Sequence, residues 1–508
     1  MIDIIFPDIA TIRDIQSNQG RYYWSRACEI LFRKEGVISV QSGTAPSQDC
    51  TLQIICRDVI PPQANDLCPR VFEGPLSNEL QAMLGISVQT CMTETLMLDN
   101  DPLFSLHLPE ILVRNQDKSV SPYLLNEINK KWINYPLEIQ FLEGKGWDAI
   151  LYAVDPLSGK EGPVAVRRDR DMIFGFSVFD LLIRWLAIPP LTTRYGGFAR
   201  TINHDIATRK VISLVVDHAV SVGVLPLRID RWPKGYSSAF TVRHDYDRKA
   251  DPVLIQALLA HYDQLGIKAS IGFLPYFLES ETIEAFKAKD HEIQAHISSA
   301  TRLELRDDLR LLHNYCQQST CGVTVHGGPQ GIGFRGQTHF EWLDDTGIDY
   351  CETFGIRDTI PVPVCRLYDD IPDISRLVAT PGHMSLDGST FPQDHKLKTL
   401  LHSVPKSLAC GNYVIVMNHP DVHHEQLLEL VSNIDFEGVW LTSMKEAVAW
   451  HRTTRYESLA HLKSYGYMVW FPQPLPYKAV LRLGDSRFEI DLSERSAFIH
   501  DNSETQLF

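Results

Sequence analysis

Four short stretches in the second half of the chain put an acid or a histidine where a strand should end. They are Arg243-His244-Asp245-Tyr246-Asp247, His291-Glu292-Ile293-Gln294-Ala295-His296, Val325-His326-Gly327-Gly328 and Met417-Asn418-His419-Pro420. Asp245 and Asp247 are two apart, so on a continuing strand both carboxylates face one side. They repel there unless a cation or a proton lies between them. A divalent metal would bind one and leave the other as a general base. The structural alternative is that the acids help cap the next helix near Asp251 or pair with Arg243 and Lys249. His296 closes an alternating run, and imidazole is the commonest neutral metal ligand. His326 precedes two glycines that let the backbone turn sharply, so it reads as a third ligand or as a turn histidine. His419 follows an apolar run and is exposed by Pro420, which suits a general acid. Arg335, in Gly333-Phe334-Arg335-Gly336, could orient an aspartate base or grip substrate through its planar fork.

Such groups act together only if the fold converges them. From Ala239 the sequence alternates strand and helix patterns. Expected strands are Ala239–His244, Lys268–Phe273, Glu292–His296, Gly322–His326, Asp349–Thr353, Arg376–Ala379, Tyr413–Asn418 and Val439–Thr442. Expected helices are Pro252–Leu265, Ser280–Lys289, Leu303–Cys316, His339–Thr346, His395–Ser403, Glu425–Ile434 and Met444–Arg452. Repeated strand–helix units argue for a parallel sheet, and this many in one stretch suit a barrel over residues 238–455. A barrel of this kind carries its chemistry at the C-terminal strand ends, where all the candidates fall.

The remainder reads as supporting structure. Residues 1–195 suggest an α/β domain, with a hairpin across Gly162–Arg168 and Met172–Phe176 and helices at Tyr22–Arg33, Pro122–Lys131 and Val178–Ala187. No nucleophile elbow marks it as a second enzyme, and a protein partner could dock there. Residues 196–237 suggest a linker with a helix at Arg209–Ser221, and 456–508 a small β appendage with a fraying tail at Asp501–Phe508. His423 and His424 are expected in solvent, and Trp440 and Trp450 in the core. The net charge of -15 disfavours a broad nucleic-acid footprint or docking on anionic lipid. Ten cysteines without paired spacing suggest reduced thiols. The opening Met1–Pro7 looks like a strand, not a secretory signal, and no apolar run is long enough for a transmembrane segment. The expected location is cytoplasmic.

Between Ala239 and Arg455 the chain resembles the polysaccharide deacetylase family, the NodB-like members of carbohydrate esterase family 4. The resemblance rests on Phe240–Asp247, Gly266–Ser270, His291–His296 and Trp440–Met444. It implies a distorted (β/α)7 barrel and a divalent metal, zinc by preference. It also implies a hydrolase that removes N-acetyl groups from an amino sugar, consistent with a precursor of surface polysaccharide. By that likeness one of Asp245 and Asp247 is the base and the other a ligand, with Asp245 the preferred base and Asp247 the preferred ligand; His296 is a ligand, His419 the acid and Arg335, more loosely, the motif arginine. A gapless match would instead put the acid pair at His244 and Asp245. The family's second metal histidine falls four residues after the first, where this chain has Ala300. Either His326 replaces it, or the barrel is a degenerate carbohydrate-binding or scaffold protein.

Overall fold

The computed structural model describes residues 1–5, 26–43, 51–55, 68–93, 95–98, 105–107, 137–154, 159–179, 182, 204–249, 251–299, 301–316, 322–326, 342–343, 346–352, 359–368, 371–381, 384–386, 393–463, 466–500 and 505–507. The alternating half forms one curled parallel sheet. Its strands are β1 Ser238–Tyr246, β2 Ala269–Phe273, β3 Glu292–Ile297, β4 Gly322–Val325, β5 Tyr350–Glu352, β6 Ile371–Thr380, β7 Tyr413–Asn418 and β8 Val439–Leu441. They lie in the order β6-β5-β4-β3-β2-β1-β7, every neighbouring pair parallel, with β8 also parallel to β1. An antiparallel strand, Val362–Tyr368, flanks β6 and distorts the barrel. β1, β2, β3 and β7 are buried along their whole length, as strands covered on both faces must be.

The helices start and stop where side-chain chemistry directs. α1, Pro252–Leu265, is capped by the Asp251 carboxylate accepting from Val253 N–H, carries Pro252 in its first turn, and ends at Gly266 with φ 70. Its buried stripe is Ile255, Leu258, Leu259 and Tyr262. The other barrel helices are α2 Ser280–Lys287, α3 Arg302–Cys316, α4 Gln393–Ala409, α5 Pro420–Ser432 and α6 Met444–His451. A Ser443/Glu446 capping box opens α6. Of the expected helix His339–Thr346, only helical positions 342–343 and turn position 346 lie among the described residues.

Period-two alternation on β1 decides which residues can act. His244 and Tyr246 point to the helical layer: His244 Nε2 is 2.7 Å from the Tyr262 hydroxyl on α1, and Tyr246 stacks on Phe273. Arg243 and Asp245 therefore point into the barrel. The Arg243 guanidinium reaches Glu352 at the end of β5, across three intervening strands. Only a curled sheet brings those two ends together.

Among its described residues the N-terminal region holds a mixed nine-stranded sheet and a separate antiparallel pair, Ser87–Thr93 with Leu137–Glu143. Ile2–Ile5 lies between Val40–Gly43 and Leu52–Ile55, parallel to both. The expected hairpin is present, Glu161–Arg168 antiparallel to Asp171–Phe174. Residues 26–34 are helical, and Pro122–Lys131 lies outside the described residues. The stretch read as a linker is more structured than its sequence suggests. The expected helix is present and longer, His204–Ser221, and the strand Leu227–Ile229 pairs with Lys478–Leu483 of the appendage. The tail is likewise paired, Thr505–Leu507 lying antiparallel to Ser496–His500. Arg33 donates to the carbonyls of Arg455 (2.7 Å) and Ser458 (2.9 Å), and Arg455 donates back to Lys34, tying the first region to the end of the barrel. Trp440 and Trp450 are buried, as expected. His423 is not in solvent; it is buried at a non-helical residue inside α5.

Several buried histidines make the fold acid-sensitive. Burial pushes His244 down to about 3 and His291 down to about 4. Burial, with Arg455 and Arg231 adding repulsion, holds His451 well below the usual range. Each stays neutral in the folded state while the unfolded chain protonates near pH 6.5, so stability is whole above that pH and falls as pH drops. His244 alone contributes a slope of up to about 1.4 kcal/mol per pH unit down to its folded value. His326 has the opposite sign, but it is partly exposed and counts for less. Urea titrations at pH 7.5 and 5.5 should show a lower midpoint at pH 5.5, and His244→Gln should flatten that difference.

Candidate active site

Four strand ends deliver the candidate residues. Asp247 follows β1 directly, and His296 is the penultimate residue of β3. His326 follows β4, its backbone N–H held by the Ile297 carbonyl at 2.8 Å. His419 follows β7 and forms the N-cap of α5, with Pro420 opening the helix. The packed strands thus fix the Cα of every group, and none depends on a long free loop.

The three imidazoles converge on the Asp247 carboxylate. His296 Nε2 is 3.1 Å from Asp247 Oδ1. His326 Nε2 is 3.2 Å and His419 Nε2 is 3.0 Å from Asp247 Oδ2. The His296 and His326 rings meet edge to face, with centroids 5.4 Å apart. Burial opposes ionisation of Asp247, but the three imidazoles hold it far below the carboxylate range. The Asp247 hydrogen bond and charge outweigh burial at His326 and raise it.

The His296 contact has a specific consequence. His296 Nδ1 is 3.0 Å from Thr324 Oγ1, and that hydroxyl donates to the Ala295 carbonyl at 3.4 Å. With Nδ1–H donated to Thr324 Oγ1, a neutral ring would turn its Nε2 lone pair toward Asp247 Oδ1, whereas a doubly protonated ring would donate Nε2–H to that oxygen. That oxygen is buried and accepts no hydrogen bond from any described residue. A lone pair facing a carboxylate oxygen at 3.1 Å is repulsive unless a proton or metal ion lies between. Gly272 opposite Asp245 leaves room for this packing: a Cβ there would lie 3.2 Å from both His296 Cβ and Thr324 Oγ1.

Asp245 has a different environment. Its two oxygens are engaged by Nε and Nη2 of Arg243, the Nε contact at 2.8 Å, and His296 Nε2 stands 3.8 Å away. Burial would raise Asp245, but Arg243 and then His296 hold it well below the carboxylate range. The third guanidinium nitrogen pairs with Glu352. Arg243, Asp245 and Glu352 are all fully or nearly fully buried. Arg243 thus orients Asp245, the task the sequence reading offered to Arg335; Arg335 and Ala300 lie outside the described residues. His244 faces α1 and Tyr262, so the acids that share the barrel mouth are Asp245 and Asp247. Thr324 and Glu352 were missed in the sequence. Glu352 lies one residue before the end of an expected strand, close to the signal that marked the histidines, and Thr324 lies beside His296 only through the β3–β4 register.

The donor set, one carboxylate and three imidazoles, has the chemistry of a zinc-type site. The arrangement is contracted around its carboxylate: among the described residues no group of His, Cys, Asp or Glu stands at metal-ligand spacing. Among the described residues no helix is long and apolar enough to cross a membrane.

The class defined by fold and site is a distorted parallel α/β barrel with an acid–histidine cluster at its mouth. No family profile and no curated protein matches the chain. In structure the chain is similar to polysaccharide deacetylases over less than half its length. A candidate polysaccharide deacetylase from Mycobacterium smegmatis matches at 16% identity, TM-score 0.37, over 44% of this chain and 92% of that one. An allantoinase matches at 13% identity, TM-score 0.35, over 44% and 92%. A carbohydrate esterase family 4 pseudoenzyme from Bacillus anthracis matches at 12% identity, TM-score 0.29, over 42% and 65%. The architecture here stands on the strand order and register.

Proposed function

We propose that the chain is a metal-dependent hydrolase that removes an acyl group, N-acetyl by preference, from an amino sugar or a polysaccharide precursor. The observation that supports this reading is the convergence of His296 (3.1 Å), His326 (3.2 Å) and His419 (3.0 Å) from three strand ends on the Asp247 carboxylate. Asp247, His296 and His326 would hold a divalent cation, zinc by preference. Such an ion supplies Lewis-acid polarisation of the amide carbonyl and lowers the pKa of water.

The protein's own groups do the rest. Asp245 takes the proton of the attacking water, its carboxylate aimed by the Arg243 fork. Arg243 keeps Asp245 ionised, and Glu352 offsets part of the guanidinium charge that would otherwise weaken the base. His419 protonates the leaving nitrogen, so that amide and water become amine and carboxylate. His419 is partly exposed while His296 is buried, so the donor lies nearer the side from which substrate enters.

The test is acetate release from N-acetylated amino sugars and their oligomers, with and without a chelator. The expected result is release that the chelator abolishes and added zinc restores. Protein that carries zinc yet releases no acetate from any such substrate would remove the deacetylase reading.

A further inference from the structure

Resting on the amino-sugar reading, we propose that Tyr276 and Phe277 form a stacking platform at the rim of the barrel mouth, for the sugar ring next to the one that carries the acyl group. Phenylalanine is usually buried, yet Phe277 is 36% exposed and Tyr276 beside it 62%. Single exposed apolar side chains are ordinary. These two are adjacent and held edge to face, with centroids 5.6 Å apart and ring planes at 77°. The turn that presents them is firmly built. Buried Pro275 opens the short helical turn Pro275–Phe277, and Phe277 N–H closes it on the Leu274 carbonyl at 3.0 Å. Leu274 and Leu278, on either side, are buried and anchor the turn while the two rings face outward.

The contacts of this turn lead to the site on both sides. It follows β2, which lies between β1 and β3 in the sheet. Leu274 N–H donates at 3.3 Å to the carbonyl of Tyr246, the residue before Asp247. The Tyr276 hydroxyl is 2.6 Å from Ser298 Oγ, two residues beyond His296. Two residues of chain span at most about 7 Å, so the ring is fastened on the order of one sugar unit from the His296 backbone. A pyranose ring has a face of C–H bonds that packs on the negative face of an aromatic ring. Its rim of hydroxyls can bond to the Tyr276 and Ser298 hydroxyls, each both donor and acceptor. The charges nearby do not favour an anion: Lys249 pairs with Glu279 at 2.6 Å, and Glu281 lies in the first turn of α2. A neutral N-acetylated sugar fits this surface better than an anionic lipid or a nucleic acid. The preferred substrate is therefore an oligomer, held by a ring beyond the one that reacts.

The probe is the tetramer of N-acetylglucosamine, tested on the full chain as wild type, Tyr276→Ala, Phe277→Ala and Tyr276→Phe. NMR titration with a chelator present reads binding without turnover, and acetate release with zinc present reads KM and kcat. The expected result is tetramer binding weakened about tenfold in each alanine variant, with KM raised by the same factor and kcat little changed. Tyr276→Phe, which keeps the ring, should stay close to wild type. Both side chains are exposed, so unchanged thermal midpoints should accompany these effects. Alanine variants that bind the tetramer as wild type does, with the same KM, would overturn the inference and leave the deacetylase reading standing. Tetramer bound through the pair but never deacetylated would uphold the platform and remove the deacetylase reading. A wild type that binds no tetramer would overturn the inference, whatever acetate it releases from the monomer.

Discussion

Asp247→Asn should yield a folded protein that neither binds a divalent ion nor hydrolyses substrate. Asn is nearly isosteric, and Asp247 is partly exposed, so the fold loses little. The site loses its centre. Each of the three imidazoles within 3.2 Å faces an Asp247 oxygen, and the neutral amide cannot replace that charge. Its NH₂ would also present hydrogens to nitrogens whose lone pairs are needed for a cation. Loss of an outer partner of a ligand already costs about 10–100-fold in metal affinity, so loss of the shared carboxylate should cost at least about 100-fold. Hydrolysis should fall on the order of 1000-fold, the scale of removing a central electrostatic group. Calorimetric zinc titration and acetate release, measured on the same preparations, check the two effects together.

Arg243→Met should destabilise the barrel more than any substitution at the mouth. Arg243 is fully buried and bridges Asp245 and Glu352, which are almost as deeply buried. Removing the cation leaves two carboxylates in a low-dielectric interior, and breaking a buried pair costs about 3–5 kcal/mol. The carboxylates would respond by taking up protons, so the variant should be less unstable at acid pH than at neutral pH, relative to wild type. Arg243→Met combined with Glu352→Gln should recover part of the loss, because one uncompensated charge is gone. Denaturant midpoints of wild type, both single variants and the pair form the cycle. An Arg243→Met variant as stable as wild type would show that the three groups do not form the ion network.

Much of the architecture was legible because it is written in local patterns. α1 begins at Pro252 and ends before Gly266, as its cap and αL signals required. β7, a run of Tyr-Val-Ile-Val-Met-Asn, matches the expected strand from Tyr413 to Asn418. Strand-end position marked Asp245, Asp247, His296, His326 and His419, and the sheet does bring them to one mouth. What stayed hidden depends on contacts across the chain. The pairing of Leu227–Ile229 with Lys478–Leu483 joins residues about half the chain apart, and nothing near residue 227 announces it. Arg243 was noticed only as a neighbour of the acids. Its importance comes from the barrel's curl, which sets Glu352 on its far side. The Thr324 contact with His296 Nδ1 depends on the β3–β4 register, a quantity with no local signature.

The central claim is that Asp247 and the surrounding imidazoles grip one divalent ion. Equilibrium dialysis of the purified chain against zinc, with metal and protein quantified in the same sample, tests it most directly. About one bound ion per wild-type chain, and none in Asp247→Asn, is the expected result. A wild-type chain that retains no zinc, or an Asp247→Asn chain that retains as much as wild type, would contradict it.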